Sequence, residues 1–357
     1  MRLHKLNRAL CACFRVRKLL LIQSGEHQTL PAAEVKAVIE AEGRDFKVCK
    51  VEPPIMVIEV DDAGICTLLK ERLAMTLEGI ELLFKCEPDL VEIERSVKDV
   101  DFSFLEGKTM AVRVSKKAPS VSISSLELER KLGAMVLERA KNTKVNLRSP
   151  DVVLRGVLTK SFYFGVKVFE VDRGVYDLRR PRYRPFFHPG SLEPRICRVF
   201  VNLARSRKGS VFLDPFNGTG GFSIEASMIG CQVIGLDIDD EMCRGALKNL
   251  KSLKCDVVGV IRGDARRLPI VEGSVNSIAT DPPYGRSTSL KRTLLEDLIN
   301  SLLHQSEGLL KKGGHLCFAH PAWLTDIEIP SSMTLVEQHE MRVHKSLTRK
   351  ITVLRKL

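Results

Sequence analysis

Residues 280–288 read Thr-Asp-Pro-Pro-Tyr-Gly-Arg-Ser-Thr. Asp281 supplies a carboxylate. Pro282 and Pro283 remove two backbone donors and hold an extended path, and Tyr284 sets a ring directly behind them. The segment therefore presents an acceptor and a flat aromatic face at a fixed spacing. Three more acids stand at the ends of apolar runs upstream: Asp214 in Asp-Pro-Phe-Asn-Gly-Thr-Gly-Gly (214–221), Asp237, and Asp264 in Gly-Asp-Ala (263–265). The glycine-rich bend after Asp214 lets a ligand approach the backbone closely. It is no phosphate loop, because no Lys-Ser/Thr follows the glycines, and its spacing is not G-x-G-x-x-G. Asp237 stands 23 residues after Asp214, where an acid can hold ribose hydroxyls. A carboxylate at Asp264 can accept an adenine amino group. Singly, each acid is as well explained as a helix cap or a solvated turn. Four together suit a nucleoside carrying a positive charge, since carboxylates attract a cation and repel pyrophosphate.

Placing four acids on one edge requires a parallel sheet. From Gly209 onward the apolar pattern alternates strand and helix, which predicts a doubly wound α/β domain over 209–357. Its predicted strands are 211–213, 232–236, 257–261, 275–280 and 315–319, with helices over 240–253 and 294–310. A hairpin of 334–343 and 349–354 closes the sheet. Upstream, strands at 19–22, 46–51, 55–60 and 80–86 with helices at 30–42 and 63–77 give the order βαββαβ of a ferredoxin-like unit. It occupies 18–61 and can extend to about 87. A second α/β module over 62–171 contains strands 109–115, 152–159 and 162–171 and an amphipathic helix over 125–140.

The chain of 357 residues has the composition of a globular protein and a net charge of +12. No apolar run reaches the roughly 20 residues needed to span a bilayer, so a cytoplasmic location is expected. Residues 1–17 read as a basic tail, or as an extension from a start codon set too early. The ten cysteines show no C-x-x-C spacing, which argues for buried thiols and against a metal site. Charge is concentrated between Arg173 and Lys208, where ten Lys/Arg face two acids, Asp177 and Glu193. Within this basic linker (172–208), Arg179, Arg180, Arg182 and Arg184 interleave with Tyr183 and Phe186-Phe187. That pattern suits phosphates and base stacking; a solvated arginine-rich surface is the alternative.

The ordered motifs 214–226, Asp237, Gly263-Asp264 and Asp281-Pro-Pro-Tyr resemble those of class I methyltransferases that use S-adenosylmethionine. Together with 24–43, Met110–Lys117 and 172–195, the chain from residue 19 resembles the archaeal tRNA guanine-10 N2-methyltransferases and dimethyltransferases. The resemblance implies that 62–171 is a THUMP domain that binds RNA, with Arg113, Lys116, Lys117, the four linker arginines and Arg286 toward tRNA. It implies a cofactor site of Asp214, Pro215, Asn217, Gly218, Thr219, Gly220, Asp237, Ile238, Asp264, Ala265 and Asp281. Asp281, Pro282, Pro283 and Tyr284 would act on an exocyclic amino group. A weak amine nucleophile is activated when Asp281 and the Pro282 carbonyl accept its two N–H groups and Tyr284 stacks on the base. Gly285–Thr288 would form a loop closing over that base. A monomer needing no obligate protein partner is expected. The alternatives are a THUMP-containing enzyme for another guanine of tRNA or rRNA, and a noncatalytic RNA-binding protein.

Overall fold

A computed structural model of the chain describes residues 18–357 other than 63, 118–122, 285–288 and 346. The basic tail, Arg286 and the 285–288 loop therefore lie outside the described residues. By contacts the chain divides into two compact units. The first holds the segment up to Glu26, Asp45–Glu71 and Thr76–Val171; the second holds His27–Arg44, Arg72–Met75 and Asp172–Leu357.

The first unit carries an eight-stranded sheet built from β1 (Lys18–Gln23), β2 (Lys47–Glu52), β3 (Ile55–Glu59), β4 (Thr76–Cys86), β5 (Thr109–Lys116), β6 (Lys144–Val145), β7 (Val152–Leu158) and β8 (Phe162–Glu170). Its order is β2-β3-β1-β4-β8-β7-β5-β6. The first four strands pair antiparallel in the ferredoxin-like order. β4 then pairs antiparallel with β8, so the ferredoxin-like strands and the following module share one sheet. One apolar core lies under β5, β7 and β8, where Leu128, Leu132 and Val136 of the Ser125–Arg139 helix meet Val112, Leu154 and Phe164. A helix that the sequence reading did not anticipate, Leu90–Lys98, starts at Asp89, whose Oδ1 accepts the amides of Val91 at 2.8 Å and Glu92 at 3.3 Å. That is an N-cap satisfying two of the orphan donors of a helix start.

The second unit carries a seven-stranded sheet: β9 (Val211–Asp214), β10 (Gln232–Asp237), β11 (Gly259–Arg262), β12 (Val275–Thr280), β13 (Leu310–Pro321), β14 (Met333–His344) and β15 (Leu347–Lys356). The order is β11-β10-β9-β12-β13-β15-β14. β9 to β13 run parallel, and β15 and β14 close the edge antiparallel. This is a Rossmann-like sheet with a terminal hairpin. The chain leaves β9 toward β10 on one side, and β12 flanks β9 on the other. Open α/β sheets bind ligands at such a switch point.

Two differences from the expected elements have local causes. The helix expected over 63–77 ends at Arg72. The amides of Ala74 and Met75 instead donate to Glu34 Oε1 and Oε2, both at 2.9 Å. Glu34 is fully buried on the Leu30–Ala41 helix, and its Oε1 also accepts Asn202 Nδ2 at 2.9 Å. The basic linker likewise contains a helix, Pro194–Leu203, whose Cys197, Val199, Phe200, Val201 and Leu203 are buried. A linker by composition is a core element by packing.

Candidate active site

All four acids stand at the carboxyl edge of the second sheet. Asp214 and Asp237 end β9 and β10, Asp264 follows β11, and Asp281 follows β12. The bend after β9 is pinned to its neighbour: the Asn217 amide donates to the Leu236 carbonyl at 2.8 Å, and the Gly218 amide to Asp237 Oδ2 at 2.7 Å. Gly218 and Gly220 have φ of 48° and 82°, the left-handed region where a Cβ is strained. Gly235, in register with Asp214 on the neighbouring strand, leaves room for the Asn217 side chain, whose Cγ would lie 2.6 Å from an added Cβ.

Asp214 is fully buried. Its Oδ1 accepts the Thr280 hydroxyl at 2.7 Å and the Phe216 amide at 3.2 Å, while its Oδ2 is buried without a partner. Burial, reinforced by the charges of Asp237 and Asp281, pushes its carboxyl up to about 8. Asn217 is also buried, with Oδ1 taken by the Ser223 hydroxyl and Nδ2 unpartnered. An open acceptor at Asp214 and an open donor at Asn217 match the ammonium and carboxylate of an amino acid. Ile238, beside Asp237, is 64% exposed, an apolar surface suited to a base. Ala265 is buried, and Asp264 pairs with Arg266 at 2.6 Å, which holds its carboxyl below the usual range. Thr219 ties the bend outward: its carbonyl accepts Asn249 Nδ2 at 3.0 Å, and its hydroxyl lies 3.0 Å from that of Ser191. Among the described residues no group of three or more His, Cys, Asp or Glu is assembled for a metal ion.

The Asp281–Tyr284 segment lies beside Asp214 without regular structure. Pro282 is buried and Pro283 exposed. Asp281 Oδ2 is 3.0 Å from Nη2 of Arg349 on β15, and Oδ1 accepts the Tyr284 hydroxyl. Burial raises the Asp281 carboxyl and Arg349 opposes the shift. Sequence reasoning missed Arg349, which stands in a Thr-Arg-Lys run that reads as a basic surface.

The positions expected to meet RNA divide sharply. Arg179 turns inward, with Nε 2.8 Å from Oε1 of the fully buried Glu225. Arg198 shares that carboxylate at 2.9 Å. Arg184 is buried and its Nε donates to the Arg179 carbonyl at 2.9 Å. Arg180 pairs with Asp177 at 2.8 Å. Arg182 faces outward, its guanidinium 4.7 Å from the ring of Tyr183; Tyr183 and Phe187 are 61% and 56% exposed. In the first unit, Arg113 donates to the carbonyls of Val112 and Leu147 at 3.0 and 2.9 Å, while Lys116 and Lys117 at the end of β5 are exposed.

Comparisons with known proteins place both halves of the chain in known families. Residues 181–351 match the family model of the RMKL-like methyltransferase domain, and residues 87–165 match the THUMP domain. The chain is 36% identical to a tRNA (guanine(10)-N2)-dimethyltransferase of Methanothermobacter thermautotrophicus, over 95% of this chain and 100% of that protein. It is 32% identical to the enzyme of the same name from Methanocaldococcus jannaschii, over 94% and 99%. Among solved structures, TrmN from Thermus thermophilus superposes with a TM-score of 0.55 at 22% identity, covering 95% of this chain and 100% of that one, a likeness of fold.

Proposed function

This chain belongs to the family of tRNA (guanine(10)-N2)-dimethyltransferases, and we propose that it transfers methyl groups from S-adenosylmethionine to N2 of guanine-10 in tRNA, one and then a second. The observation that carries the reading is the edge itself. Asp281, in its Asp-Pro-Pro-Tyr setting, follows the strand β12 that pairs with β9, beside a carboxyl and an amide that each keep one buried polar atom unbonded.

The cofactor supplies a methyl group on a sulfonium. Asp214 and Asn217 hold its amino-acid end, and the Gly218–Gly220 bend admits it close to the backbone. Asp237 takes the ribose hydroxyls, Ile238 and Ala265 flank the adenine, and Asp264 accepts the adenine amino group. Pro215 sets the path of the chain into the bend.

A guanine amino group is a poor nucleophile because its lone pair is delocalised into the ring. Asp281 accepts one N–H and the Pro282 carbonyl the other, which returns electron density to nitrogen. Pro283 keeps that carbonyl in an extended segment, and Tyr284 stacks on the base. Positioning for in-line displacement then provides much of the rate gain. The methylated nitrogen is acidic and gives its proton to Asp281 or to water. After one methylation an N–H remains, so the same acceptor serves the second.

Guanine-10 must leave its stack to reach the site. The module over 62–171 holds the tRNA through the exposed Lys116 and Lys117 at the end of β5, Arg113 being turned to the Val112 and Leu147 carbonyls, and Arg286, which follows the Asp-Pro-Pro-Tyr motif in the sequence, adds a cation. In the linker, Arg182 with Tyr183 and Phe187 is the RNA-facing set, since Arg179 and Arg184 serve the interior. The test is transfer of labelled methyl to an unmodified tRNA transcript, with the modified nucleoside located by mass spectrometry. Dimethylguanosine at position 10 is expected, lost in Asp281→Ala. Transfer that survives in Asp281→Ala would sink this mechanism.

A further inference from the structure

Every oxygen of the Asp281 carboxylate is engaged by this chain's own side chains. Oδ2 is held by Arg349 and Oδ1 by the hydroxyl of Tyr284. Arg349 is placed by a strand rather than a loop: on β15 it pairs with Pro321 of β13 and Met341 of β14. It is 8% exposed, and its guanidinium lies 5.4 Å from the centre of the Tyr284 ring. Its Nε is a buried donor without a partner. A guanidinium carried into the interior to meet one carboxylate and one ring demands an explanation, because an incompletely bonded buried cation is costly.

Chemistry supplies one. An isolated buried carboxyl holds its proton, and a protonated carboxyl offers an O–H donor where an amino group needs an acceptor. Other groups that share Asp281's electrostatic surroundings give no help. Asp214 on β9 is itself pushed up by the charge of Asp281 and brings no cation, and the Cys197 thiol of the Pro194–Leu203 helix is a buried neutral group. Arg349 is the cation that opposes burial at Asp281. The Tyr284 hydroxyl, meanwhile, sits on the lone pairs that a substrate N–H would use.

We propose that Arg349 is a positioning residue of the methyl-transfer site: it keeps Asp281 ionised and oriented through Oδ2, while the Tyr284 hydroxyl reserves Oδ1 and yields it to the entering amino group. The assignment rests on the reading that Asp281 accepts a substrate amine. It gives the aromatic residue two states. Bonded to Asp281, the phenol keeps the acceptor pair occupied; released, the ring is available to stack on the base.

The experiment follows single-turnover methyl transfer to unmodified tRNA between pH 5.5 and 9 for the wild type, Arg349→Gln and Arg349→Lys. Cofactor affinity by calorimetry and thermal unfolding accompany each variant. With Arg349→Gln the acid limb of the rate moves to higher pH, because the charged carboxylate loses the cation that opposes its burial. On that limb each pH unit of displacement is about a tenfold loss of rate, which recovers as pH rises. Arg349→Lys, which keeps the charge and guards against a variant that fails to fold, lies between. Cofactor affinity changes less than about threefold, a difference below 1 kcal/mol. A loss of rate by the same factor at every pH would mean a structural role only and would overturn the assignment.

Carbon-13 NMR of labelled aspartate, with the Asp281 signal identified through Asp281→Asn, reads the same titration without turnover. Asp281 titrates higher in Arg349→Gln if the proposal holds, and at an unchanged pH if it does not. A wild-type chain that transfers no methyl to tRNA while Asp281 still shifts would refute the functional reading and leave the Arg349 pairing standing.

Discussion

Replacing Asp214 by asparagine should stabilise the protein while weakening its hold on the cofactor, and the effect should grow with pH. The side chain is fully buried, Oδ1 accepts two hydrogen bonds and Oδ2 none. An asparagine keeps the Oδ1 acceptor and places its amide nitrogen where Oδ2 has no partner, so it copies the protonated acid closely. The sign follows from the carboxyl being pushed up to about 8 in the folded chain. In the unfolded chain it titrates near 4. Between about pH 4 and 8 the folded state therefore holds a proton that the unfolded state has lost, and wild-type stability falls as pH rises. The slope is about 1.4 kcal/mol per pH unit for a full proton, with a ceiling of about 6 kcal/mol across four units. Relaxation and water entry reduce the observed gain to a few kcal/mol. At about 2–4 °C per kcal/mol for a unit of this size, Asp214→Asn should match the wild type near pH 4.5 and melt several degrees higher at pH 8. Calorimetric unfolding across that range is the assay, with S-adenosylmethionine titrated into both proteins at pH 8. A melting difference that stays flat with pH, or a variant that binds cofactor as tightly as the wild type, would refute the reasoning.

Four further substitutions test the geometry described above. Gly235→Ala drives a Cβ to 2.6 Å from Asn217 Cγ; it should cost about 1–3 kcal/mol of stability and weaken cofactor binding in calorimetry, since Asn217 must move. Glu225→Gln leaves Arg179 and Arg198 sharing a neutral partner and should lower stability by about 3 kcal/mol or more in urea unfolding. Arg182→Ala, by contrast, should leave the melting temperature within a degree or two and weaken tRNA binding, with the salt slope falling by about one in filter binding; Arg179→Ala should do the reverse, losing stability first.

Much of the site was legible because its signals are local. Asp214, Asp237, Asp264 and Asp281 each sit at the end of a short apolar run, and a parallel sheet has to bring such ends to one edge. The ferredoxin-like strand order and the terminal hairpin were likewise readable from element type and sequence order. The helix expected over 63–77 was read too long for a physical reason. Leu73, Ala74 and Met75 continue the helical period, but their amides meet Glu34, which lies 40 residues away from Ala74. No window of sequence carries that contact.

The arginines show what composition conceals. Arg179, Arg180, Arg182 and Arg184 look equivalent in a run of four, yet Glu225 claims the first, Asp177 the second, and burial the last. The signal that could have separated them was Glu225 itself, the one charged residue of the Gly221–Met228 helix, where a buried carboxylate needs a cation. The same logic run backward finds Arg349: Asp281 is an acid that must be held charged in the interior, and its partner arrives from β15, far along the chain. In both places a buried acid draws arginine inward from a basic stretch, Arg179 and Arg198 to Glu225 and Arg349 to Asp281. The arginines that remain on the surface are those left for a polyanion.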